Sequence, residues 1–329
     1  MNKTSQTTVH FHSIDALRGF AALAVCFFHF TNGFLQPDNL LRVVNQYGYL
    51  GVDAFFVISG FVVPYSFAQK KYSLGQFGSF LKKRIIRIEP AYWVSIVLIM
   101  FKDTLSRFTE DYRYFEFPNW SFKQIALHFV HGNDIFNEKW LITPYWTLAI
   151  DWQFYLFIGL IFFIVNRAEF WVRYPFYALI IASKWWFGED MKPWLFYHAM
   201  QFLPGIILFH YKRGYMSKWE FYALALVSFY FIHMKLGWNH CIAVSISCLI
   251  IEFLTKKRDI TAFFGKISYS MYLTHIFIGW WFIVIALNIL QDEWFKTIVV
   301  LLGVCVSIVF AKIFYDKVEM PTQQWAKKV

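Results

Sequence analysis

Apolar runs of roughly 17 to 25 residues recur from one end of this 329-residue chain to the other, each long enough to cross a hydrocarbon layer of about 30 Å as a helix. In hydrocarbon every backbone polar group must be satisfied internally, so a chain built this way folds as a bundle of helices. The pattern predicts about ten spans, near residues 14–34, 48–68, 88–106, 146–166, 174–188, 194–211, 219–234, 238–254, 266–290 and 296–315. The expected class is all-α, a polytopic integral membrane protein with one membrane-embedded domain over residues 1–329. The chain ends about fourteen residues past the last span, so no soluble C-terminal domain is expected.

Only 16% of the residues are charged and 58% are hydrophobic, whereas a soluble domain carries charge on about a quarter. Many of the Trp and Tyr residues stand at the ends of apolar runs, the placement of interfacial belts. The first run holds Asp15, Arg18 and His29 and is not followed by a small-residue cleavage site, so it reads as a retained span, not a secretory signal. Cys26, Cys241, Cys248 and Cys305 fall inside apolar runs without paired spacing and read as small core residues. No metal motif is present; His10 and His12 in a polar tail do not make one.

The net charge of +10 does not mark a nucleic-acid binder, because the basic residues lie in short loops between apolar spans. With the N-terminus cytoplasmic, about eighteen basic residues fall inside and about seven outside, the bias that orients membrane proteins. An even number of spans puts the C-terminus on the cytoplasmic side as well. The longest non-spanning stretch, 103–145, is then outside, carries Asp103, Glu110, Asp111 and Glu116, and is expected to fold over the outer mouth as a partly helical lid.

Ionisable groups inside a span are expensive and point to function. Arg18 and His29 are eleven positions apart; eleven steps of about 100° return nearly to one direction while rising about 16 Å, so both share one helix face. Arg18 lies toward the cytoplasm and His29 past the midplane. A cofactor arm held by Arg18 would present its far end to His29. The competing reading of Arg18 is a snorkelling side chain paired with Asp15, and that of His29 is a satisfied core histidine. Asp53 and Asp151 fall at a depth similar to His29. A carboxylate beside an imidazole raises its basicity, as a general base acting on a hydroxyl requires, and Asp151 is the preferred partner. Arg84 and Arg87, three apart before the third span, suit phosphate groups, although ordinary positive-inside anchoring accounts equally for their spacing.

Taken together these segments resemble the membrane-bound acyltransferase 3 family over nearly the whole chain. DALRGFAALAVCFFHF at 15–30 is similar to its opening motif through Arg18 and His29, and GVDAFFVISGF at 51–61 to its second through Asp53, Ser59 and Gly60. RIIRIEPAYW at 84–93 resembles the paired-arginine segment. YWTLAIDWQFYL at 145–156 resembles one that commonly has Glu where Asp151 stands. GKISYSMYLTH at 265–275 resembles the late motif ending in His275, and EMP at 319–321 the acidic ending at Glu319.

The resemblance implies a ten-helix bundle in a bacterial plasma membrane. Its acyl donor, acetyl-CoA or another acyl-CoA, enters from the cytoplasm as co-substrate. Its acceptor is a carbohydrate or lipid-linked glycan. His29 would be the essential catalytic residue, Arg18, Arg84 and Arg87 would hold the donor phosphates, and His275 is carried over without a defined role. From a different class, the same buried charges would suit a transporter of a hydroxylated or anionic solute, although no pair of broken spans recurs in the two halves. Coenzyme A binding at the basic mouth separates the two.

Overall fold

A computed structural model describes residues 11–106, 120–187, 191–254, 258–289 and 292–329, and among them all regular structure is helical. α1 (His12–Phe34) is followed by a short α2 (Leu40–Asn45), then α3 (Gly51–Gln69), α4 (Phe77–Ser106), a short α5 (Phe122–His128), α6 (Tyr145–Val165) and α7 (Phe170–Trp186). The second half holds α8 (Leu195–Lys212), α9 (Lys218–Leu236), α10 (Trp238–Phe253), α11 (Asp259–His275), α12 (Trp281–Ile289), α13 (Glu293–Phe314) and α14 (Met320–Lys328). Single π-helical turns, Ile276–Trp280 and Tyr315–Glu319, join α11 to α12 and α13 to α14.

The ten expected runs coincide with α1, α3, α4, α6, α7, α8, α9, α10, the α11–α12 rod and α13. Five helical stretches, His12–Phe34, Leu40–Gln69, Tyr145–Val165, Asp259–Asn288 and Trp294–Lys328, are long and apolar enough by themselves to cross a membrane. The expected ends at 188 and 290, His10, and the acidic stretch with Glu110, Asp111 and Glu116 lie outside the described residues.

Apolar side chains cover the outside of the bundle as well as its interior: Phe20, Val97, Phe163, Leu226 and Val309 are all exposed. Helices apolar all round require an apolar solvent, so these side chains face lipid. Cys305 is exposed among them, unlike the buried Cys26, Cys241 and Cys248, which corrects its reading as a core residue. Exposed tryptophans form two belts. Trp171, Trp219 and Trp325 sit at one end of the bundle, and Trp186, Trp238 and Trp294 at the other, where amphipathic rings meet the headgroups. The first belt lies at the end that also carries Lys70, Lys83, Lys212 and Lys327, hereafter the basic end.

α4 begins at Phe77, eleven residues before the expected span at 88, so the KKRIIR run is not a loop but the first turns of a helix. That change carries Arg84 and Arg87 into the bundle. The C-terminal tail is helical too, and α14 packs along α4 with Ala326 buried.

Beside the site α1 and α11 approach each other closely. A Cβ at Gly19 would stand 2.6 Å from that of Phe264, and one at Gly265 would stand 2.6 Å from that of Asp15. Only glycine permits these backbones to meet. The crossing sets Arg18 and His29 of α1 against the face of α11 that bears Ser268, Tyr272 and His275.

Candidate active site

From the basic end a cavity leads inward. Its outer part, a vestibule of about 600 Å³, is lined by Lys70, Lys83, Arg84, Arg87 and Lys327. Ser66, Arg84 and Arg87 also line the inner part, a cavity of about 220 Å³ that adds Arg18, Ser59, Asp151, Tyr269, Tyr272 and Glu319. Six residues singled out in the sequence, Arg18, Ser59, Arg84, Arg87, Asp151 and Glu319, therefore converge from five separate elements on one space.

The charge in this space is unbalanced. Among the described residues none of Arg18, Arg84 and Arg87 forms a salt bridge. Arg84 instead lies over the ring of Tyr155 at 4.6 Å, a cation–π arrangement that holds the guanidinium without neutralising it. At the mouth, burial and the neighbouring Lys83, Arg84 and Arg87 cations hold the Lys70 amine below its ordinary value. A cluster of cations that penalise one another is a site for an anion with several charges.

Glu319 is the buried counter-charge nearest the mouth. The π turn that carries it aims its carboxylate at α11, where it accepts hydrogen bonds from the Ser270 N–H (3.1 Å) and hydroxyl, while its other oxygen accepts from Gln323 Nε2 at 2.7 Å. The structure makes Glu319 a tie between α14 and α11, the elements that close the cavity. Asp151 Oδ1 is buried with no hydrogen-bond partner among the described residues, and one turn earlier on α6 the Thr147 hydroxyl pairs with that of Tyr272 at 2.7 Å.

His29 stands beyond the inner end of this cavity, next to His275, with ring centroids 5.4 Å apart. His275 is fully buried, and its Nδ1 lies 3.0 Å from the carbonyl oxygens of both Met271 and Tyr272. Carbonyls only accept, so Nδ1 carries the proton and the lone pair is on Nε2, which is buried without a hydrogen-bond partner among the described residues. The following π turn is the kind of helix irregularity that gathers at functional sites.

The carboxylate expected beside His29 is not there: among the described residues its side chain makes no hydrogen bond, and its ring neighbours are Phe28 and His275. Asp151 belongs to the inner cavity. Asp53 faces another way, toward α8 and α10, where it accepts from His240 Nδ1 at 2.9 Å and from Gln201 Nε2. α3 explains the separation. Asp53 lies on the side of that helix that meets α8, whereas Phe55, Ser59, Val62 and Ser66 turn toward the cavity.

Sequence reading passed over Tyr269 and Tyr272, although positions 269, 272 and 275 repeat at three-residue spacing and so share one face. It also passed over His240 and Gln201, which no local spacing ties to Asp53.

The expected lid is partly helical, through α5, and residues 107–119 of that stretch lie outside the described residues. Its later part does not simply cover a mouth. His131 is buried against the ring of Tyr92 (4.7 Å), and its Nε2 lies 2.9 Å from Glu89 Oε1, which also accepts from Trp152 Nε1 at 2.6 Å. The segment is thus anchored between α4 and α6.

Fold and site define a polytopic helical membrane protein with a buried, cation-lined cavity open at one end. A family model described as an acyltransferase domain matches residues 11–316, and the chain belongs to that family, the acyltransferase 3 proteins. Similar proteins include "Putative acetyltransferase ORF330" of Acidianus two-tailed virus, 23% identical over 321 residues, covering 89% of this chain and 87% of the relative. "O-acetyltransferase OatA" of Staphylococcus aureus strain NCTC 8325 / PS 47 is 25% identical over 371 residues, covering 94% and 57%. "Putative O-acetyltransferase SACOL0978" of S. aureus strain COL is 24% identical over 386 residues, covering 98% and 59%. The chain thus spans less than two thirds of these staphylococcal relatives. No solved structure gives a significant match.

Proposed function

We propose that this protein transfers a short acyl group, acetyl first among candidates, from acyl-CoA bound at the basic end to a hydroxyl of a carbohydrate or lipid-linked glycan met at the opposite end. The observation that carries this reading is the pair of adjoining cavities in which three guanidiniums, none in a salt bridge among the described residues, lead inward from a lysine-lined mouth. Phosphates need cations at the mouth, a pantetheine arm needs a narrow passage, and the thioester needs a base at its far end.

In this scheme His29 takes the proton of the acceptor hydroxyl. The oxygen attacks the thioester carbonyl, the C–O bond forms, the C–S bond breaks, and the proton passes to the departing thiolate. Arg18, Arg84 and Arg87 bind the donor. Asp151 enters as the carboxylate of the donor cavity, and Ser59 lines the same passage. The names of the relatives support O-acetyl transfer over solute transport. The proposed setting is a bacterial plasma membrane with both termini and the basic end cytoplasmic, as the distribution of lysine and arginine favours.

The test is release of coenzyme A from acetyl-CoA by purified protein in nanodiscs, wild type beside His29→Ala and Arg18→Ala. Turnover should vanish with His29→Ala and need more donor with Arg18→Ala. Donor binding that is absent, or indifferent to Arg18, would sink the reading.

A further inference from the structure

The most completely built polar constellation outside the donor cavity is at the opposite end of the bundle. Ser13 Oγ lies 3.4 Å from the carbonyl of Ile251, so α10 runs antiparallel to α1 and its third residue, His240, comes to the end where His29 stands. Asp53, 1% exposed, accepts from His240 Nδ1 at 2.9 Å. Its other oxygen accepts from Gln201 Nε2, whose Oε1 in turn faces His198 Nδ1 at 3.3 Å. A carboxylate receiving the Nδ1 proton fixes the tautomer and leaves the lone pair on Nε2. That nitrogen makes no hydrogen bond among the described residues and is not buried; the His240 side chain keeps 24% of its surface open. Beside it the Tyr49 ring packs 5.9 Å from His240 and 5.4 Å from Phe28, the neighbour of His29, and Tyr47, two residues earlier, is exposed.

A buried carboxylate, an oriented imidazole with a free acceptor nitrogen, and adjoining aromatic faces are what a polyhydroxylated ring requires. We infer that His240, held by Asp53 and Gln201, is a substrate-binding residue for the acceptor. Its Nε2 accepts the hydrogen of one sugar hydroxyl while Tyr49 lies against the ring, which leaves a neighbouring hydroxyl free to reach His29. The inference rests on the reading of the protein as a transferase with a carbohydrate acceptor, and it assigns Asp53 to acceptor selection instead of to the base.

The experiment uses native membrane vesicles of the source cell, which supply the acceptor, and follows two quantities with labelled acetyl-CoA: coenzyme A released and acetyl incorporated into glycan. His240→Ala should lower incorporation about tenfold or more with the donor KM unchanged, so that water takes a larger share of the acyl groups. His240→Gln, whose amide oxygen can accept a hydrogen bond, should recover part of the loss. Asp53→Asn keeps the shape but can donate to Nδ1, which moves the ring proton to Nε2, and should lose incorporation like His240→Ala. Incorporation by His240→Ala equal to wild type overturns the inference, and so does a parallel fall in incorporation and donor hydrolysis with folding intact. Wild-type vesicles that neither consume the donor nor incorporate acetyl would instead overturn the transferase reading beneath it.

Discussion

The imidazole of His275 lies 5.4 Å from that of His29, and its Nδ1 proton is committed to the carbonyls of Met271 and Tyr272. The only ring nitrogen that His275 can offer is therefore the acceptor Nε2, and the nearest ring beyond α11 that could use it is His29. An imidazole lone pair facing His29 is suited to the role that a carboxylate plays beside other histidines. His275→Ala should lower kcat for acyl transfer about a hundredfold while the donor KM changes little. Steady-state kinetics on His275→Ala beside wild type check it, and a change confined to donor KM would place His275 in donor binding instead.

Arg84 and Arg87 should act on donor affinity. Each Arg→Ala should raise the donor KM about tenfold, the effect of losing one charge-assisted hydrogen bond, and make binding less sensitive to salt. Arg84→Lys should recover little, because an ammonium reproduces neither the planar fork nor the stacking on Tyr155. Isothermal titration of coenzyme A at two ionic strengths reads both effects.

The α1–α11 crossing should tolerate no added carbon. Gly19→Ala and Gly265→Ala each place a Cβ within 3 Å of the partner helix, an overpacking that costs about 1–3 kcal/mol. Because Arg18 and His29 both ride on α1, the same variants should raise the donor KM. The two effects should be less than additive in the double variant. Thermal unfolding in detergent and donor titration measure them.

The anchored segment between α4 and α6 should loosen in acid. Burial pushes His128 down to about 4 from an ordinary 6.5; its Nδ1 sits 2.8 Å from the Gln124 carbonyl, and its Nε2 accepts from the Leu141 N–H at 3.0 Å. Protonation would set two donors against each other at Nε2. The stability contributed by neutral His128 is fully present above the ordinary value of 6.5 and is lost as pH falls toward 4. Hydrogen exchange at the Leu141 amide, corrected for intrinsic rate, should therefore accelerate through that window, and a flat profile would contradict it.

By itself the sequence determined the class of the protein, the placement of its long apolar helices, and that Arg84 and Arg87 stand at the start of one of them. Long apolar runs leave a chain in lipid no other way to satisfy its backbone, and charges placed within or beside them declare themselves by their expense. Helical period also sufficed to put Arg18 and His29 on one face, because both lie on the same element.

What only the tertiary structure decided is which polar side chains meet across elements. Asp53 and Asp151 have similar depth in the sequence, yet the rotation of α3 sends one to His240 and the fold of α6 sends the other to the arginines. Depth can be counted along a helix, whereas azimuth depends on which neighbour the helix packs against. His240 is 187 residues from Asp53, and His275 is joined to His29 through a crossing that two glycines permit. Contacts of that range depend on packing that no local pattern encodes, so the pairing of the site residues emerged only with the folded bundle.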